Sequence, residues 1–249
     1  MPSSMRTGMV LLMAVMVSAS MLVACGARAD QREEALEILN QRNIFFCEDE
    51  YDDALHRDDA ALVDIFIKAG MNPNTIVGNE PPPIVTASFR GQAEMVRVLA
   101  TQGGLVNFRS EKGHTPLMLA AINGHAEVCR ILIENGAEVE ATASYGMTAL
   151  MYAVSHRYVE IADMLLAKNA DALRKAETGA SALTVAVETD QEPIIKLLQK
   201  YGYGNAIKKH RARMKADAEA EAKEAKRRKT ESDRKWKDQM DAAGAGKPK

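Results

Sequence analysis

The side chains of this chain best suited to metal binding or nucleophilic chemistry are its five histidines and three cysteines. The histidines stand at His56, His114, His125, His156 and His210, with no H-E-x-x-H spacing, and Cys25, Cys47 and Cys129 form no C-x-x-C. Neither set shows the short ligand spacings typical of zinc sites. The sequence also lacks a G-x-S-x-G elbow and a glycine loop able to cradle phosphate. Acidic clusters at Glu48-Asp49-Glu50 and Asp52-Asp53 offer loose cation contact and read as a solvated acidic end. No catalytic set, metal or cofactor is expected, and the chain reads as a non-enzyme.

The elements that would position any site return at a fixed period. Gly113 to Gly136 reads GHTPLMLAAINGHAEVCRILIENG: a turn glycine, a short apolar helix, a Gly-His break and a second apolar helix. The same grammar recurs 33 residues on. Thr115, Thr148 and Ser181 align, as do Leu117, Leu150 and Leu183, then Ala120, Ala153 and Ala186, then Leu99, Leu132, Leu165 and Leu198. Such a period signals stacked units, none of which can bury its apolar face alone. Thr115 suits a helix N-cap and Pro116 the first turn, where a missing N–H costs little. Ala120 and Ala121 let neighbouring helices approach, and Leu117, Val128, Ile131 and Leu132 supply an apolar stripe. Cys129 falls in that stripe, so a buried, inert thiol is expected, out of reach of Cys47 two units away.

Thr-Pro-Leu-x-x-Ala-Ala, then Gly-His, a Leu-rich helix and Gly-Ala resembles the ankyrin repeat over roughly Phe45 to Gly202. The resemblance implies an all-α solenoid of about five helix-turn-helix repeats that binds another protein without catalysis. It places hairpin tips at Arg109, Glu111, Lys112 and His114, then at Thr142, Ser144, Tyr145 and Met147, then at Lys175, Glu177 and Thr178. It places a concave face at Thr86, Phe89 and Arg90, then Leu119, Ile122 and Asn123, then Tyr152, Ser155 and His156. From these we single out Phe89, Arg90, Arg109, Lys112, His114, Leu119, Ile122, Asn123, Tyr145, Tyr152 and His156 as partner-binding candidates, since aromatic and Arg side chains dominate interface energetics. His114 and His156 are expected at the surface, and His125, in the Gly-His turn, is expected to be structural. The chain departs from the family at the inner-helix histidine, where Met118, Met151 and Thr184 stand. It departs again at residues 49–55, DEYDDAL, where only the second half of a first repeat is recognisable.

The two ends differ from the body. Met9 to Ala24 is an apolar run after Arg6, short for a membrane span but suited to a signal peptide. It closes in Leu22-Val23-Ala24-Cys25, which resembles the bacterial lipobox and makes Cys25 the lipidation candidate. Gly26 after that cysteine favours the outer membrane by the same resemblance. Ala27-Arg28-Ala29 offers a competing A-x-A cleavage site that would release a soluble periplasmic protein. Residues 1–29 are thus a targeting region, 30–44 an N-terminal capping helix opened by Asp30, 45–203 the repeats and 204–249 a charged helical or disordered tail.

Through Tyr203 the chain carries 17 Lys/Arg against 26 Asp/Glu, and from Gly204 onward 15 against 8. An acidic body with a basic tail suggests two different surfaces. Beyond Met214 no apolar a/d seam is present, so a coiled coil is not expected and the protein reads as a monomer. The expected role is an exported interaction module that binds, and so inhibits or stabilises, a periplasmic or envelope protein, in the manner of an immunity or inhibitor protein. The alternative is an envelope anchor or spacer whose basic tail contacts anionic lipid or cell wall. Nucleic acid is not an expected partner.

Overall fold

The computed structural model describes residues 29–242 except Val77 and Asn79. Residues 1–28, which include Cys25 and all of the targeting region but Ala29, and the terminal Gly244, Gly246 and Pro248 lie outside the described residues. Helix α1 covers residues 29–41, so Asp30 sits in its first turn and is not its cap. Five antiparallel helix pairs follow: α2 (Glu48–His56) and α3 (Ala60–Lys68), α4 (Pro83–Arg90) and α5 (Ala93–Thr101), α6 (Pro116–Asn123) and α7 (Ala126–Glu134), α8 (Ala149–Ser155) and α9 (Val159–Ala167), α10 (Ala182–Glu188) and α11 (Glu192–Lys200). A single long helix, α12 (Gly204–Ala242), completes the described chain.

The period of 33 is the period of the core. Tyr51, Ile84, Leu117, Leu150 and Leu183 occupy one row, and Phe66, Leu99, Leu132, Leu165 and Leu198 another, each no more than 2% exposed. Burying a side chain of this kind contributes about 1.5–3 kcal/mol. Ala54, Ala87, Ala120, Ala153 and Ala186 form a third buried row, whose small side chains let inner helix lie on inner helix. The result is one continuous core along the stack, with each pair touching its neighbours.

Local chemistry sets the helix starts. Thr115 and Thr148 accept from the backbone N–H of Met118 and Met151, each at 3.3 Å. Ser181 and Thr184 form a reciprocal capping box. Pro83 and Pro116 open α4 and α6, where no intrahelical donor is lost. The first repeat is complete, contrary to the half-repeat legible in its sequence. Its inner helix α2 opens on Glu48, Asp49 and Glu50, whose charges favour the helix N-terminus. Tyr51 and Ala54 fill the buried leucine and alanine slots.

A second recurring device sits between the helices of each pair. Asp58, Gly91, Gly124, Arg157 and Asp190, again 33 apart, all take positive φ, from 49° to 79°. At the two glycines the next repeat presses close to the backbone. A Cβ on Gly124 would meet the Tyr158 ring at 2.6 Å, and one on Gly91 would meet the His125 ring at 2.6 Å.

The repeats are also hooked together along their loops. Asn74 donates to the Gly103 carbonyl and accepts from Leu105 N–H, and Asn107 does the same with Gly136 and Glu138. Glu140 accepts from Asp171 N–H in the next repeat, and the Tyr203 phenol reaches Ala172 N–H in the last. On the outer helices Arg97 pairs with Glu127 and Arg130 with Glu160. At the N-terminal end Arg32 of α1 donates to the Ala69 carbonyl, and Ala35 and Leu39 are buried, so α1 packs on the first repeat.

Candidate protein-binding surface

The concave face is built from one exposed edge of each inner helix. Position by position it carries Thr86, Leu119, Tyr152 and Val185 in one row, Phe89, Ile122, Ser155 and Glu188 in the next, and Arg90, Asn123, His156 and Thr189 in the third. Leu119, Tyr152 and Val185 are half-buried with one side against the core, whereas Phe89 stands exposed.

Phe89 is 56% exposed, an unusual setting for a phenylalanine. It lines a depression of about 370 Å³ together with Leu119, Val85, Thr86, Pro81, Glu80 and Arg90. The structure therefore brings Phe89, Arg90 and Leu119 into one site across repeats two and three. Glu80 and Pro81, just before α4, form part of its rim, and Pro82 leads into the helix extended at φ −49° and ψ 142°. His125 supports the floor: its Nε2 lies 3.1 Å from the Phe89 carbonyl oxygen, where a protonated Nε2 donates and holds the end of α4. The structural role expected for His125 is thus fulfilled, and it bears on the site by fixing the backbone of Phe89.

The remaining candidates are distributed farther along the stack. Ile122 and Asn123 are half-buried, and Asn123 is engaged with the Leu119 carbonyl of its own helix at 3.0 Å. His156 is exposed and stacks on Tyr158, with centroids 5.9 Å apart. His114, expected at the surface, is half-buried. Its Nε2 lies 3.1 Å from the Tyr152 hydroxyl, linking a hairpin tip to the inner helix of the next repeat. Burial, assisted by Lys112, holds the His114 imidazole below its ordinary range, and burial pushes the Tyr152 phenol above its own.

The tips are joined into a continuous edge. Ser144 donates to the Lys112 carbonyl through both its N–H and its hydroxyl, each at 2.9 Å, and Glu177 N–H donates to the Tyr145 carbonyl at 2.8 Å. Arg109 donates to the Thr142 carbonyl and pairs with Glu138. Tyr145 stands 68% exposed at positive φ, projecting from the repeat-four tip. Met118 and Met151, in the family's histidine slot, are buried, so apolar packing replaces a polar link there.

Sequence reasoning missed Phe45 and Ile76, which lie 73% and 53% exposed near the tips of the first two repeats. Their register against Glu111 and Arg109, two and one periods on, was the available signal. Cys129 is buried and its thiol is pushed up to about 12 by desolvation, while Cys47 is half-buried, and both are free. Among the described residues no group of three or more His, Cys, Asp or Glu is placed to hold a metal ion.

Stacked helix pairs with a concave apolar depression and linked hairpin tips define a helical repeat solenoid of the protein-recognition class. Models of the ankyrin repeat match residues 52–143, 85–176 and 141–210, well over half of the chain. The chain belongs to the ankyrin repeat family, whose members are typically non-catalytic protein-binding modules. No curated protein matches it significantly.

Proposed function

We propose that this ankyrin protein is exported to the bacterial envelope, where its concave face grips another envelope or periplasmic protein and occludes or steadies the bound surface. The observation that carries the binding reading is the depression holding Phe89 and Leu119. A half-exposed aromatic beside an aliphatic side chain and an arginine, on a rigid helical floor, has the composition of an interface anchor. Tyr152 and Tyr145 extend the aromatic surface toward repeat four. The mechanism is steric and non-covalent, as suits an inhibitor or immunity protein. Export rests on the apolar Met9–Ala24 run, and lipid anchoring on Leu22-Val23-Ala24-Cys25.

The test is affinity capture from envelope extract with the natural chain, the Phe89→Ala/Leu119→Ala/Tyr152→Ala variant and a convex-side control, Glu134→Ala. A species held by the natural chain and the control, and lost from the triple variant, supports this face. Equal recovery by all three sinks it. Mass spectrometry of the mature N-terminus decides anchoring: an acylated Cys25 supports the lipoprotein, and an N-terminus at Asp30 indicates soluble export instead.

A further inference from the structure

Helix α12 is anchored only at its base. Ile207 is buried against the last repeat, His210 Nε2 lies 3.1 Å from Glu188, and Arg211 pairs with Glu192 at 3.3 Å. From Arg211 to Met240 every residue is exposed, so the distal helix stands clear of the repeats.

Its charges are sorted around the helix axis, which a linear reading of mixed Lys and Glu does not reveal. At about 100° per residue, Lys226, Arg227, Lys229, Arg234 and Lys237 share one half of the circumference with Trp236 and Met240. Asp233 is the single acid on that half within residues 226–240. The other half neutralises itself: Arg228 pairs with Glu224 at 2.6 Å and Lys235 with Glu231 at 3.1 Å. Among the described residues, Lys226, Arg227, Lys229 and Arg234 make no ion pair. Trp236, the only tryptophan of the chain, is 64% exposed at the edge of the cationic half, with Met240 one turn on.

We propose that this face of α12 docks on an anionic lipid surface, a contact separate from the partner-binding depression. Unpaired cations on one side supply attraction to the head groups, while the cations of the opposite side, Arg228 and Lys235, are already paired with acids of the same helix. Trp236 and Met240 decide between lipid and a soluble polyanion. Apolar and amphipathic side chains among lysines gain from the head-group boundary, and have nothing to enter on a fully hydrated polymer.

The experiment uses the full chain with Cys25→Ser, so that no acyl chain contributes, and vesicles of phosphatidylcholine with or without phosphatidylglycerol. Trp236 emission is the readout. Anionic vesicles should shift it to the blue and sediment the protein, and raising the salt to about 1 M, where the Debye length falls to about 3 Å, should reverse both. Lys226→Gln/Arg227→Gln/Lys229→Gln/Arg234→Gln should lower the partition coefficient at least about 100-fold at equal helicity. Arg228→Gln/Lys235→Gln, a helix diameter farther from the surface, should change it no more than about three-fold. Binding through the apolar N-terminal run would ignore lipid charge and leave Trp236 unmoved, and that outcome overturns the proposal. So does an undiminished response in the quadruple variant, or an equal emission shift with soluble polyphosphate.

Discussion

Replacing Gly124 by alanine isolates the close approach of successive repeats from backbone preference. Gly124 has φ +78°, and an added Cβ would lie 2.6 Å from the tip of the Tyr158 ring. Gly136 has φ +83° and would meet nothing within 4 Å. Both substitutions impose a left-handed conformation on alanine, costing about 1–2 kcal/mol. Only Gly124→Ala must also displace a ring, which stacks on His156, and such overpacking adds about 1–3 kcal/mol. The expected losses are therefore about 1–2 kcal/mol for Gly136→Ala and about 2–5 kcal/mol for Gly124→Ala. In a Tyr158→Ala background the cost of Gly124→Ala should fall to about that of Gly136→Ala, a coupling that distant sites would not show. Urea unfolding followed by far-ultraviolet circular dichroism measures each value, at unchanged slope. Equal losses for the two glycines, or strict additivity with Tyr158→Ala, would refute the steric account.

Two further outcomes follow from buried groups. Unfolded His114 takes up a proton near its ordinary pKa of about 6.5, whereas burial in the folded state delays that uptake to lower pH. Its contribution to stability is thus present above about pH 6.5 and is lost as the pH falls through the folded value. The stability difference between the natural chain and His114→Gln should shrink or invert on acidification, and a pH-independent difference would contradict the geometry. Cys129, with its thiol near 12, should resist a thiol reagent at mildly alkaline pH until urea unfolds the stack, while Cys47 reacts in the native state. Prompt labelling of Cys129 without denaturant would contradict its burial.

The repeat architecture was legible because its rows lie at one spacing, so Leu117, Ala120 and Leu132 announce their equivalents. Repeat one was half hidden because Asp49 and Glu50 stand where the family places Thr-Pro and Tyr51 where it places Leu, yet acids also favour a helix start. The Phe89–Leu119 pairing was partly legible, since both residues fall on inner-helix positions of adjacent repeats. The depression that unites them is lined on one side by Glu80 and Pro81, and its Phe89 backbone is held by the His125 contact, features that the aligned leucine and alanine rows do not announce. His114 looked like a free tip because its partner, Tyr152, lies 38 residues away. The sorting of charge around α12 was concealed by composition, where cations and acids alternate without visible order.

The Asn74, Asn107 and Glu140 hooks each reach only the repeat that follows, and the Tyr203 phenol takes over where the last repeat has Leu173. Tension applied between the ends is consequently carried in series, since among the described residues these hooks include no strap spanning several units to share it. Pulled at its extremities, the array would pay out hairpin by hairpin, lengthening in discrete steps while the units still stacked kept their shape.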